Sequence, residues 1–209
     1  MSMYTIQKNV QAQLVIEKSR FLCTLSKVQN EEQAAATISQ CKKSYWDATH
    51  NCSAYIIGEN MEFQKSSDDG EPSGTAGIPM LEVLKKRKLY NVVAVVTRYF
   101  GGIKLGSGGL IRAYGKSVSQ AVELAGLCQK QAVYDCSFLE NAQTAGKIIN
   151  TLYTQPLFSV RDISYGENVR ITIRINEKDM GQATILLEEL FSRKINFDGC
   201  EKIYLEVPV

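Results

Sequence analysis

Twelve consecutive residues carry the strongest chemical signal in the chain: Arg98-Tyr99-Phe100-Gly101-Gly102-Ile103-Lys104-Leu105-Gly106-Ser107-Gly108-Gly109. Five of the twelve are glycine, which lets backbone N–H groups approach a ligand closely and allows positive φ. The tract leads from an apolar strand into a long helix, and a helix N-terminus attracts anions through its free N–H groups and its macrodipole. Arg98 and Lys104 add formal positive charge. The expectation is a cradle for phosphate or a nucleic-acid backbone, built from Arg98, Gly101, Gly102, Lys104, Gly106 and Ser107. The spacing matches neither the P-loop pattern G-x-x-x-x-G-K-S/T nor the dinucleotide pattern G-x-G-x-x-G. The plain alternative is a glycine-rich turn that only packs helix against strand.

A second candidate lies upstream, in Asp68-Asp69-Gly70-Glu71-Pro72-Ser73-Gly74-Thr75-Ala76-Gly77. Three carboxylates within four residues suit a hard cation such as Mg²⁺. They equally suit pairing with Arg98 or Arg112, which would hold two loops together, or a solvated turn with a helix cap from Ser73 or Thr75. His50, in Thr49-His50-Asn51-Cys52, could serve acid–base chemistry near such carboxylates, or merely orient its neighbours. His50, Asp68, Asp69, Glu71, Thr75 and Arg112 are therefore taken to shape the site. Lys85-Lys86-Arg87-Lys88 ends a helix, where cations complement the dipole and would also attract nucleic acid. Tyr45, Trp46, Tyr99, Phe100 and Tyr114 are aromatic rings available for base stacking or for the core. No G-x-S-x-G nucleophile elbow occurs, and the cysteines and the single histidine fit no zinc-finger spacing.

The elements that must position these residues fall into two parts. In the first, Gln13–Val28 reads as strand broken around Glu17–Ser19, and Glu31–Tyr45 as helix. Cys52–Gly58 and Glu62–Lys65 form a hairpin, Ser66–Thr75 a loop, and Ala76–Lys88 a helix with Pro79 in its first turn. Asn91–Arg98 is a buried strand, and Ser107 caps a helix reaching about Leu127. In the second part, strands at Ala132–Leu139, Phe158–Tyr165, Val169–Ile175 and Ile203–Val207 alternate with helices at Glu140–Thr154 and Asp179–Arg193. That β-α-β-β-α-β order is the ferredoxin-like split motif, so the class is α+β. The expected boundary lies between 132 and 133.

The charge supports the same division. The 209 residues carry a formal +2, but residues 1–132 hold 16 Lys and Arg against 11 Asp and Glu, a surplus of five. Residues 133–209 hold 8 against 11, a deficit of three. The near-neutral total thus leaves room for a polyanionic partner of the first part. No uncharged run approaches a membrane span, and residues 1–11 lack an apolar signal core. Six cysteines without a C-x-x-C pair read as reduced and mostly buried in a cytoplasmic protein. Cys52 is the one nearest to a catalytic setting, two residues after His50.

The segment Gly77, Met80-Leu81, Leu84, Leu89, Val95-Val96, Arg98-Tyr99-Phe100-Gly101-Gly102, Leu105 and Gly106 is similar to the signature of the IMPACT/YigZ family. So are Asp68-Asp69-Gly70-Glu71-Pro72, Gly74-Thr75-Ala76-Gly77 and His50-Asn51-Cys52. The resemblance spans the whole chain in domain order. It implies a first domain with the fold of the second domain of ribosomal protein S5, and a ferredoxin-like second domain. The same pair of folds occurs in consecutive C-terminal domains of elongation factor G, which engage the ribosome. Eukaryotic relatives restrain an amino-acid-starvation kinase by competing for its activator. They carry a different extra domain, so that partner need not exist here. No catalytic residue is established for the family, so none is carried over.

The leading expectation is a non-catalytic, translation-linked regulator that binds RNA or the ribosome through the basic glycine-rich loop. The alternative is an enzyme acting on a phosphorylated small molecule or nucleotide with His50 and the Asp68–Glu71 carboxylates. A third reading gives the ferredoxin-like domain a protein partner at its sheet face or edge. No cofactor and no membrane partner is expected.

Overall fold

The computed structural model describes residues 3–209. The chain forms two compact units. One runs as far as Gln129 and takes in Val207–Val209; the other is Lys130–Glu206. Both are mixed α+β with an antiparallel sheet. Among the described residues no helix is long and apolar enough to cross a membrane.

In the first unit, β2 (Val10–Ile16) and β3 (Ser19–Lys27) form a hairpin. Its two-residue turn, Glu17-Lys18, has both φ values positive, at 43° and 63°, the backbone sense that matches strand twist. After α1 (Glu31–Ser44) come β4 (His50–Ile57), β5 (Phe63–Ser67), α2 (Gly77–Lys86), β6 (Val92–Tyr99) and α3 (Gly106–Ala125). The sheet order is β2-β3-β6-β4-β5. Helix α1 covers one face, over Tyr55, Ile57, Val93 and Val95. Helices α2 and α3 cover the other, over Cys52, Ala54, Val92, Ala94 and Val96. β6 is thus buried on both sides, which explains its unbroken apolar run. Strand alternation then sends Arg98 toward the α2/α3 side along with Val96.

The second unit is built from most of β7 (Leu127–Asn141), then α4 (Ala142–Tyr153), β8 (Phe158–Tyr165), β9 (Asn168–Asn176), α5 (Met180–Phe191) and most of β10 (Gly199–Pro208). β9 lies between β7 and β8, and β10 pairs with β7. Ile171, Ile173 and Ile175 of β9 pack with Ala145, Leu152 and Leu187 of the two helices.

Several expectations need correction. The 3-residue β1, Tyr4–Ile6, pairs with Leu127–Gln129 of β7 and was not anticipated. α3 starts at Gly106 with Leu105 as its N-cap, so Ser107 lies inside the helix and does not cap it. It ends at Ala125, where Gly126 takes φ 68° and releases the chain into β7 five residues before the expected strand start. Cys136 and Cys200 are joined as a disulfide across β7 and β10, against the expectation of reduced thiols throughout. The other four cysteines are free and buried.

Candidate nucleic-acid interface

Two separate groups of residues surround the glycine-rich tract. The first is internal. β4 and β6 pair with His50 opposite Arg98, while Phe21 of β3 lies opposite Arg98 on the other side. The acidic loop crosses this end of the sheet. The Asp68 carboxylate accepts from the backbone N–H groups of Gly74 (2.8 Å), Ala76 (3.0 Å) and Gly77 (2.8 Å), satisfying the start of α2, whose N-cap has no side-chain bond of its own. Thr75 turns its hydroxyl back to the Pro72 carbonyl (2.6 Å) and does not cap. Asp69 accepts from Lys42 Nζ and from the Asn51 N–H (2.7 Å). Its carbonyl lies 2.9 Å from His50 Nδ1; a carbonyl only accepts, so Nδ1 carries the hydrogen.

Glu71 is the centre of this group. It is buried, and one carboxylate oxygen accepts from Arg98 Nη1 (2.6 Å) and from the Tyr114 hydroxyl (2.7 Å). The other lies 3.9 Å from His50 Nε2. Arg98 is only 5% exposed. Its Nη2 reaches Ser19 Oγ (3.4 Å), and its guanidinium carbon sits 5.3 and 5.6 Å from the Phe21 and Phe100 ring centroids. Of the two arginines considered as partners of the carboxylates, Arg98 is the one paired. A direct phosphate contact from Arg98 is closed off, because the side chain faces inward and is taken by Glu71.

These environments decide which groups can do acid–base work. Burial alone would raise the Asp68 carboxyl, but the three backbone donors outweigh it and hold it below its ordinary value. Burial also opposes ionisation of Asp69, and the bonds from Lys42 and Asn51 overcome it in the same way. Burial pushes the Cys52 thiol up to about 12, so it is no thiolate at neutral pH. Burial raises Tyr114 far more. Among the described residues no group of three or more His, Cys, Asp or Glu is placed to hold a metal ion.

A pH dependence follows. Carboxyls lowered in the folded state add stability that is complete above their unfolded value, near 3.8, and is lost as pH falls through the folded value. Urea midpoints measured between pH 5 and pH 2 are expected to fall, and Asp68→Asn to be less stable at pH 5 with a shallower acid limb. An unchanged slope in that variant would remove Asp68 as a source of the dependence.

The second group is at the surface. Gly101 packs backbone to backbone on the β2–β3 turn: a Cβ there would lie 2.0 Å from the Lys18 carbonyl carbon and 2.4 Å from the Ser19 nitrogen. Its N–H donates to Ser19 Oγ (3.2 Å). Gly102 (φ 86°) and Gly106 (φ 66°) turn the chain into α3. Beside that turn is a groove of about 600 Å³ lined by the cations Lys104, Arg112 and Lys116, by apolar Ile16, Ile103 and Leu105, and by one carboxylate, Glu17. The three cations are exposed. Lys116 was missed in the sequence; it lies one turn after Arg112, the i,i+4 spacing that puts both on one helix face.

The run Lys85–Lys88 is elsewhere. Arg87 pairs with Glu123 (2.9 Å), near the far end of α3, roughly 25 Å of helix from the glycine-rich turn. Lys85 pairs with Glu82 (3.2 Å).

The model of the Impact N-terminal domain matches residues 17–122. The IMPACT family member YvyE of Bacillus subtilis (strain 168) is 48% identical over 208 residues, covering 100% of this chain and 95% of that one. The IMPACT family member YigZ of Escherichia coli (strain K12) is 38% identical over 151 residues, 66% of this chain and 74% of its own. A crystal structure described as that of a hypothetical protein superposes at a TM-score of 0.59 with 28% identity, over 94% of this chain and 97% of the other.

Proposed function

Because the chain belongs to the IMPACT family, we propose that it is a non-catalytic, translation-linked regulator that binds RNA or the ribosome through its first unit. The observation that carries this reading is the groove at the start of α3. Lys104, Arg112 and Lys116 converge there beside a glycine-rich helix N-terminus. Exposed cations beside a partly apolar groove suit a phosphate backbone.

The enzymatic alternative draws less support. His50, Asp69, Glu71 and Arg98 do converge, yet they converge on one another. Asp68 is committed to backbone donors, Asp69 to Lys42 and Asn51, and Glu71 to Arg98 and Tyr114. The carboxylates close a loop onto the sheet instead of facing a substrate.

Filter binding at ~50 and ~200 mM salt tests the proposal, because each phosphate contact releases counterions. Single-stranded RNA is expected to bind at the lower salt and to lose affinity steeply at the higher. Lys104→Ala and Arg112→Ala should each weaken binding and reduce the slope of log K against log salt by about 0.7. Absence of binding to RNA and to ribosomes at ~50 mM salt would overturn the reading.

A further inference from the structure

The chain has a single tryptophan, Trp46, and it is 82% exposed. An indole left this open gives up a large gain from burial. The segment that carries it is well held. Ala48 donates its N–H to the Tyr45 carbonyl (3.0 Å), and Thr49 donates to the Arg98 carbonyl (2.9 Å). Thr49 Oγ1 accepts from the Phe100 N–H (3.2 Å), and Asp47 accepts from the Tyr99 hydroxyl (3.0 Å). The indole is therefore presented by a fixed segment bonded directly to the start of the glycine-rich tract.

That same end of the sheet carries further rings and cations. Phe100 is 49% exposed. Arg20 stacks its guanidinium 4.3 Å from the Tyr99 ring centroid and is itself exposed. Lys18 sits in the β2–β3 turn, against the backbone of Gly101. Lys43 lies in the last turn of α1, three residues before Trp46. The carboxylates in these segments are Glu17 and Asp47, and Asp47 is engaged by Tyr99.

We propose that unpaired bases of single-stranded RNA stack on Trp46 and Phe100 while the adjoining phosphates meet Arg20, Lys18 and the Lys104 groove. This rests on the RNA reading above and adds which form of RNA is bound and where. Open π-faces beside cations are the recognition chemistry of single strands. A duplex hides its base faces and would use only the cations.

The single tryptophan makes the test direct. A 12-nucleotide single-stranded RNA and a duplex of equal length are titrated into the full chain, with indole fluorescence and filter binding read at the same salt. The single strand is expected to quench Trp46 and the duplex to leave it unchanged. Trp46→Ala should weaken single-strand binding about ten- to one-hundredfold without changing the salt slope, and Trp46→Phe should recover part of the loss. Thermal unfolding of both variants should match the parent, since the side chain is outside the core. Single-strand binding on filters with no quenching and no loss in Trp46→Ala would overturn the stacking proposal and leave the RNA reading standing. Equal quenching by the duplex would overturn the single-strand preference. Failure of both RNAs to bind would overturn the stacking proposal, and failure of ribosomes to bind as well would overturn the RNA-or-ribosome reading and favour a protein partner at this surface.

Discussion

Glu71→Ala is expected to destabilise the first unit by about 3–5 kcal/mol, because it leaves the Arg98 guanidinium buried without its counter-charge. The loss should exceed that of ordinary core truncations of similar size, since Tyr114 loses the acceptor of its hydroxyl as well. Equilibrium urea unfolding gives the number. A companion variant separates charge from packing. Arg98→Met combined with Glu71→Leu removes both charges and restores apolar volume, and should recover a large part of the stability. If the double variant were as unstable as the sum of the singles, the pair would not be coupled and the account of this cluster would fall. The same experiment bears on function: a conservative Arg98→Lys should weaken RNA binding only in proportion to unfolding, since Arg98 is enclosed.

Gly101→Ala is the second large effect. The added methyl would meet the Lys18–Ser19 peptide at 2.0–2.4 Å, and backbone cannot swing aside as a flexible side chain can. Either the β2–β3 turn or the 98–106 loop must move, at a cost of about 2–4 kcal/mol. The N–H of residue 101 would leave Ser19 Oγ, the hydroxyl that also accepts from Arg98. Binding to RNA should fall with it, because Lys104 rides on the displaced loop. Gly102→Ala places its methyl in open space and is limited to the strain of φ 86°, about 1 kcal/mol. Thermal unfolding of the two variants should therefore rank Gly101→Ala well below Gly102→Ala; the reverse order would mean that close approach to the turn is not what glycine provides at 101.

The periodic parts of the fold were open to reading from sequence because their signals are local. Phe158–Tyr165 alternates except for a slip at Arg161-Asp162, where the β8–β9 register shifts, and is the observed β8. Gly166 follows it as the turn residue, and the helix expected over Glu140–Thr154 is α4, which starts at Ala142 with Asn141 as its cap through the Gln143 N–H. β1 escaped notice because three residues cannot display an alternation, and it exists only through its pairing with Leu127–Gln129. In the candidate site the glycine-rich tract stood out by composition and the Asp68–Glu71 carboxylates were expected partners of Arg98, whereas the parts of Ser19 and Tyr114 in this cluster left no local signal. Ser19 and Glu71, which bond Arg98, lie 79 and 27 positions from it, and Tyr114, which bonds the same Glu71, lies 43 positions from that carboxylate; only the sheet register and the packing of α3 bring them together. Trp46 shows the converse limit: its residue type argued for the core as well as for a ligand, and only its exposure decides between them.

The bond between Cys136 and Cys200 gives the second unit a mechanical property of its own. The two residues are 64 positions apart, and α4, β8, β9 and α5 all lie between them. Tension applied to the ends of that unit travels along β7, crosses at the sulfurs and leaves along β10. The interior elements are bypassed, and roughly 220 Å of chain contour is withheld from the pull while the bond is intact. Load on this unit is thus carried by two strands and one covalent staple.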